Sequence, residues 1–294
     1  MQVFCGHRYV PSRIVNPVVR PRADRAWSSA ALLPVAVGCG LVLALTGCGR
    51  SAGATAAVPP PAGSSYTLMQ LNLCLSGLAG CYGKVDYPAG VEDAAARIRQ
   101  AQPDAVTVNE ACSGDVALIA RRTEYHMRFS RVIYHGKPPR CVQPAGRGLF
   151  GNAVLTKAAI ESTDSQAFEA QAGPERRRWL CVGTGVGVNL CTAHLASHET
   201  DEVAANAPQC AELEALLARR AAARTVIFGG DVNRGPSCAP QGFWVRTDGS
   251  AHQDPGSQQV YGTSALRSPS AQVVPATHTD HDFLLVRAHL TAHS

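Results

Sequence analysis

No Cys-x-x-Cys pair occurs among the eleven cysteines, which argues against a zinc site of that spacing. No internal repeat is visible. Nor is there a comfortable transmembrane helix. The apolar stretch at residues 30–45 contains Pro34, Gly38 and Gly40 and has only the length of a signal-peptide core. A basic surplus is also missing from most of the chain. The formal net charge is +5, but Arg8, Arg13, Arg20, Arg22 and Arg25 against Asp24 place most of it before residue 48. The remainder of the chain is nearly neutral, so charge provides no argument for nucleic-acid binding.

The first feature present is an export signature. An arginine-rich, proline-broken segment precedes the apolar stretch, which ends in Leu45-Thr46-Gly47-Cys48. That ending resembles a bacterial lipobox, with Cys48 the lipidated residue and residues 1–47 the signal. Residues 48–65, rich in Gly, Ser, Ala and Pro, form a tether. Gly49-Arg50-Ser51-Ala52-Gly53 spells a nucleophile elbow, but a tether offers neither the strand nor the helix that motif requires. The expectation is a lipid-anchored, extracytoplasmic monomer whose folded domain covers residues 66–294. Eight cysteines lie in that domain, and an oxidising compartment favours pairing them. The expected pairs are sequential: Cys74–Cys81, Cys112–Cys141, Cys181–Cys191 and Cys210–Cys238.

The domain alternates strand-like and helix-like stretches. Strands are expected at residues 67–73, 105–108, 151–156, 179–182, 186–193, 225–228, 259–261, 271–274 and 283–288. Helices are expected at 91–102, at 113–122 with Ser113 as N-cap, and at 201–220. Mixing of this kind points to a layered α/β domain. Residues 236–258 look loop-like.

The chemistry-bearing residues sit at the ends of these apolar runs. They are Asn72, Glu110, Asn152, His194, Asp231 with Asn233, and Asp280 with His281. Taken singly, each is ordinary. Gly229-Gly230-Asp231-Val232-Asn233 comes after an apolar strand that breaks on two glycines, which is plain turn chemistry. Arg176, Arg177 and Arg178 look like a solvated face. Taken together, the set has a hard-oxygen ligand for Mg²⁺ or Mn²⁺ in Glu110, a base in the Asp–His pair, and oxyanion donors in Asn233 and His194. That inventory suits metal-assisted phosphoester hydrolysis.

Six short motifs then fall in one order: Gln70-Leu71-Asn72, Val108-Asn109-Glu110, Gly151-Asn152-Ala153-Val154-Leu155-Thr156, Thr192-Ala193-His194-Leu195, Gly230-Asp231-Val232-Asn233 and Thr279-Asp280-His281. This ordered set resembles the endonuclease/exonuclease/phosphatase superfamily. The resemblance implies a DNase I-like four-layer sandwich, with two mixed β-sheets face to face and helices outside. It implies that Glu110 ligates Mg²⁺ or Mn²⁺ with Asn72 nearby, that Asp231 orients or deprotonates water, and that Asn233 and His194 hold phosphoryl oxygens. His281 would be a further acid/base or phosphate contact, Asp280 a metal-side or orienting carboxylate, and Asn152 part of the cleft lining. The implied substrates are phosphodiesters such as DNA, with sphingomyelin-like lipids or inositol phosphates as the alternative. A catalytically weakened binding lipoprotein is the opposing expectation. Two departures motivate it. Cys74 stands where some nuclease members carry an acid. Gln258 stands where the family usually has the Asp that orients the final His, and its carbonyl is expected to accept from that imidazole instead.

Overall fold

A computed structural model of the chain describes residues 63–197 and 202–291. The export segment, Cys48 and almost all of the tether lie outside the described residues.

The strands, in chain order, are β1 (Ser65–Asn72), β2 (Ala105–Cys112), β3 (His126–Arg131), β4 (Ile133–Tyr134), β5 (Phe150–Thr156), β6 (Ile160–Ala167), β7 (Glu175–Arg176), β8 (Arg178–Thr184), β9 (Val188–Ala193), β10 (Thr225–Asp231), β11 (Trp244–Thr247), β12 (Gln258–Gly262), β13 (Leu266–Val274) and β14 (Phe283–Leu290). The α-helices are α1 (Ala89–Ala101), α2 (Ser113–Thr123) and α3 (Val203–Ala221). Two six-stranded sheets result, ordered β13-β14-β1-β2-β5-β3 and β11-β12-β10-β9-β8-β6. The strands β4 and β7 pair apart from both.

Side-chain alternation along β1 shows how the layers assemble. Leu68 joins an apolar cluster with Leu190, Ile227 and Val260 of the second sheet. Met69 and Leu71 point the other way, into a cluster with Val91, Ile98, Val116 and Ile119 of α1 and α2. On the far side, Val226 and Phe228 of β10 pack with Leu213 and Leu217 of α3. Helices, sheet, sheet and helix thus form four layers. Central strands covered on both faces must be apolar at nearly every position, which is why β1, β2 and β10 are legible as continuous runs.

The strand β10 does not break at its glycines. It runs through Gly229 and Gly230 to Asp231. A Cβ on Gly229 would lie 2.4 Å from Thr107 Oγ1, and one on Gly230 would lie 2.3 Å from the Ala193 carbonyl oxygen. These glycines admit close neighbours and are not there to turn the chain. Ser113 is likewise not the N-cap of α2. Cys112 takes that place, and the Ser113 hydroxyl accepts from the Leu149 N–H at 3.0 Å. Four disulfides join the pairs expected: Cys74–Cys81, Cys112–Cys141, Cys181–Cys191 and Cys210–Cys238.

Candidate active site

Strand β1 runs parallel to β2, and β9 runs parallel to β10. Parallel pairs bring like ends together. Asn72 and Glu110 therefore stand at one edge of the first sheet, and His194 and Asp231 at the facing edge of the second. His194 and Asp231 form an isolated parallel bridge. Because β14 is antiparallel to β1, the residues just before it, Asp280 and His281, return to this same edge.

Glu110 reaches the cleft because β2 is bulged. Val108 pairs with Ala153 and Ala111 with Gly151, so one residue of β2 is extra. Asn109 faces the second sheet, Ala111 returns to the α1–α2 core, and Glu110 is released toward the cleft. Its φ of 53° lies in the left-handed region, unusual for a glutamate. Asn233, at φ 51°, shares that conformation, which asparagine adopts readily. Backbone outliers of this kind concentrate where side chains are aimed for function.

The acids are held by amides. Asn72 Nδ2 donates to Glu110 Oε1 at 3.0 Å and to Asp231 Oδ2 at 2.9 Å, while its Oδ1 accepts from the Cys74 N–H. Asn72 thus presents its nitrogen to the carboxylates, so it orients both acids and does not offer them a ligand oxygen. Asp231 Oδ1 accepts from the Asn233 N–H at 2.9 Å. Asn233 Nδ2 lies 2.9 Å from His194 Nε2 and donates to the Leu195 carbonyl at 3.0 Å. His281 Nε2 is 3.9 Å from both Asp231 Oδ2 and Asp280 Oδ1.

Burial dominates the electrostatics. Desolvation pushes Glu110 up to about 7, the Asn72 hydrogen bond works against this, and Asp231 and Asp280 add to it. Desolvation also holds His194 well below its ordinary value, reinforced by the Arg177 and His281 charges. Burial disfavours the charged form of His281 too, but Asp231, Asp280 and Glu110 together raise it above the ordinary imidazole value.

The cleft above these residues has a volume of about 1000 Å³. Among the described residues, five carboxylates line it (Glu110, Glu175, Glu202, Asp254 and Asp280) against the two fixed cations Lys84 and Arg177. Asp280 Oδ1 is buried without a hydrogen-bond partner among the described residues. A surplus of carboxylates over fixed cations, one orphaned buried oxygen and an up-shifted glutamate fit a hard divalent cation. Among the described residues, the group of potential ligands that clusters within 4.8 Å is Cys74, Cys81 and Glu110. Its sulfurs are joined to each other, so they are not thiolate ligands. Glu110 and Asp280 therefore fit a cation that keeps part of its water shell, as Mg²⁺ does.

Two expectations are corrected. Asn152 does not line the cleft. It lies between the sheets, accepting from Asn109 Nδ2 at 3.0 Å. Gln258 does not accept from His281. Its Nε2 donates to the Asp282 carbonyl at 2.6 Å and to Asp248 Oδ2 at 3.2 Å, and its Oε1 faces Gln70 Nε2 at 3.4 Å. His281 Nδ1 is buried without a partner among the described residues.

Sequence reasoning also passed over residues that build the site. Arg177, read as solvated, is buried and meets His194. Asp248, in the loop-like stretch, is fully buried behind Gln258, and burial pushes its carboxyl up to about 6. Asn109 joins the sheets. Only Asn109 carried a signal, as a polar residue at the end of an apolar strand.

Comparison with known proteins agrees with this geometry. Among curated protein sequences, none matches the chain. Solved structures that resemble it include truncated TDP2 from Caenorhabditis elegans, at 18% identity and TM-score 0.54 over 76% of this chain and 97% of that one. An endonuclease/exonuclease/phosphatase from Beutenbergia cavernae matches at 17% and 0.57, over 77% and 72%. The human Nocturnin catalytic domain with bound sulfate anion matches at 13% and 0.55, over 77% and 94%. At such identities the likeness establishes the fold, the DNase I-like sandwich. The model of the Endonuclease/Exonuclease/phosphatase family matches residues 70–294. The chain therefore belongs to the Endonuclease/Exonuclease/phosphatase family, whose members are typically phosphoester hydrolases and generally use divalent metals.

Proposed function

We propose that the protein is an extracytoplasmic, divalent-metal-dependent phosphoesterase acting on phosphodiester or phosphomonoester bonds. The observation that carries this reading is the convergence of Glu110, His194, Asp231, Asn233, Asp280 and His281 on one carboxylate-rich cleft. Glu110 and Asp280 would hold Mg²⁺, or Mn²⁺ in its place, and the bound ion would supply Lewis-acid stabilisation of charge on the phosphoryl group. Asp231, aligned by Asn72 and the Asn233 N–H, takes a proton from the attacking water. Asn233 and His194 donate to phosphoryl oxygens as charge builds there. His281 would serve as the acid that donates a proton to the leaving oxygen.

The cleft opposes a bare polyanion, because its carboxylates outnumber its fixed cations among the described residues. This weakens the duplex-DNA reading. The TDP2 from D. rerio was crystallised with a single-strand DNA product, so single strands belong in any substrate panel. A second reading, hydrolysis of sphingomyelin-like lipids, is favoured by the exposed Leu78 and Tyr134 at the cleft wall. An apolar rim suits a substrate whose remainder is hydrocarbon. A lipid anchor at Cys48 would keep the enzyme beside such a surface.

The test is hydrolysis of plasmid DNA, single-stranded DNA, bis-p-nitrophenyl phosphate and sphingomyelin with Mg²⁺ or Mn²⁺. EDTA and Asp231→Ala serve as controls. Metal-dependent turnover lost in Asp231→Ala supports the assignment. No turnover of any phosphoester would leave the binding-lipoprotein alternative, and turnover surviving in Asp231→Ala would displace the site. Cys48→Ser is expected to release the protein from membranes; retention would point to an uncleaved signal anchor.

A further inference from the structure

Cys81 stands apart from the other seven cysteines of the four disulfides. Those seven are buried, whereas Cys81 is partly exposed and lines the cleft with Glu110. Its Sγ lies 3.8 Å from Glu110 Oε2. The sulfurs of Cys74 and Cys81 and a Glu110 oxygen all fall within 4.8 Å of one another. Tetrahedral Zn²⁺, at its usual distances to sulfur and carboxylate, sets those two atoms about 3.6 Å apart. Cys81 and Glu110 are therefore already at the spacing of two ligands on one ion. What keeps the sulfurs from serving is the bond between them, and among the described disulfides it is the one that a reductant entering the cleft meets.

Neither cysteine is held by that bond alone. The Cys74 N–H donates to Asn72 Oδ1 at 3.2 Å. On either side, the Leu73 and Leu75 N–H groups donate to the Asn109 and Glu110 carbonyls at 3.2 and 2.8 Å. Cys74 is thus stitched to the strand that carries Glu110. Cys81 sits in a short 3₁₀ turn, Gly80–Lys84, none of whose residues is buried. The Ser76 hydroxyl closes the approach to this turn, accepting from the Leu78 and Ala79 N–H groups at 3.1 and 3.2 Å. The Tyr82 hydroxyl donates to the Gln143 carbonyl. Opening the disulfide frees two sulfurs while these bonds keep the backbone that aims them.

We propose that Cys74, Cys81 and Glu110 form a redox-gated site for a thiophilic divalent cation, Zn²⁺ above all. A dithiol reductant gives two electrons and two protons to the Cys74–Cys81 bond and is itself oxidised to a disulfide. The S–S bond breaks and two thiols form. The cation then binds both sulfurs and a Glu110 oxygen, the two thiol protons leave to solvent, and water takes the fourth position. Two thiolates and a carboxylate select Zn²⁺ over Mg²⁺, which prefers oxygen ligands alone. Occupation of this site takes Glu110 away from a hard cation, and only that consequence rests on the phosphoesterase reading.

The full-length protein is treated with dithiothreitol, freed of it by anaerobic gel filtration and titrated with Co²⁺ and then Zn²⁺. Alkylation and mass spectrometry are expected to find Cys74 and Cys81 reduced before the other three pairs. The reduced protein is expected to show a thiolate-to-cobalt charge-transfer band and the visible bands of tetrahedral Co²⁺, which Zn²⁺ abolishes. The oxidised protein and the double variant Cys74→Ser/Cys81→Ser are expected to show neither. The same bands in either of these would place the metal elsewhere and overturn the proposal, as would no band in the reduced protein. Glu110→Gln keeps both cysteines, so it tests the site even if the serine variant does not fold. It is expected to weaken Co²⁺ binding at least about tenfold, the scale on which even outer-shell partners matter; unchanged binding would remove Glu110 from the site. Loss of near-ultraviolet circular dichroism on reduction of this pair would mean that no folded site remains, and the proposal fails. With bis-p-nitrophenyl phosphate and Mg²⁺, the reduced, Zn²⁺-loaded protein is expected to lose turnover and to regain it when the disulfide is re-formed. Undiminished turnover with Zn²⁺ bound would show that Glu110 is not taken. If no form turns over any phosphoester, the phosphoesterase reading fails and the cobalt spectrum still decides the site.

Discussion

Asn109 Oδ1 accepts the backbone N–H of Asp231 at 2.8 Å, across the boundary between the two sheets. The same oxygen accepts from Gln70 Nε2 at 2.8 Å, and Asn109 Nδ2 reaches Asn152 Oδ1 at 3.0 Å and the Ala193 carbonyl at 3.2 Å. One fully buried amide thus fixes where β10 delivers its aspartate.

Asn109→Ala is expected to leave several of these buried groups unpaired. Typical penalties for unsatisfied buried groups put the loss at about 2–4 kcal/mol. Urea denaturation measures it, with the m-value unchanged. Turnover is expected to fall alongside, since Asp231 loses its anchor.

Gln258→Asp would restore the residue usual in the family, yet it is expected to impair this protein. Gln258 Nε2 is the donor that Asp248 Oδ2 receives, and a second carboxylate there would face the first inside the protein. Burial already pushes Asp248 up to about 6. A carboxyl raised in the folded state binds more protons folded than unfolded, so its folded form loses stability as pH climbs through the interval between the two pKa values. The deficit of Gln258→Asp relative to the unsubstituted protein is therefore expected to be larger at about pH 8 than at about pH 5. Thermal melts under both conditions check this; equal deficits would refute it.

The same sign governs Glu110. Burial raises it to about 7 from its ordinary value of 4.5. In metal-free protein the folded state therefore holds the proton that the unfolded chain releases, and stability is expected to fall as pH rises from 4.5 to about 7. Glu110→Gln is expected to flatten that segment of the profile. Because metal competes with the proton, Mg²⁺ is expected to raise Tm more above this window than below it.

Gly229→Ala tests the closeness of the sheets. The added methyl would lie 2.4 Å from Thr107 Oγ1 and 3.0 Å from Leu68 Cδ2. Overpacking of this kind costs about 1–3 kcal/mol. Thr107→Ala removes the nearest atom, so the double variant is expected to be more stable than the sum of the two singles implies. A double-mutant cycle reads that coupling directly.

Legibility tracked burial. The central strands β1, β2, β9 and β10 are apolar on both faces and stand out in the chain. The strands β3 and β6 are sheet edges with polar, largely exposed sequences such as Ile160–Ala167, and carry no apolar run. Strand β11 escaped for a related reason, being four half-buried residues inside a turn-rich segment. The site residues at strand ends were visible as polar punctuation after apolar runs. Arg177 and Asp248 were not, because three consecutive arginines and a Thr-Asp-Gly-Ser stretch give no hint of burial.

The sequence alone determined the layered α/β architecture and the polar set Asn72, Glu110, His194, Asp231, Asn233, Asp280 and His281, since local periodicity and residue order carry that information; the disulfide pairing was settled only by which cysteines the fold brings together. Tertiary structure decided how those residues face one another. The bulge that turns out Glu110, the amide of Asn72 shared between two acids, the Asp248 behind Gln258 and the arginine on His194 all arise from contacts between distant segments. Such contacts depend on register and on close approach of the sheets, and no local pattern encodes them.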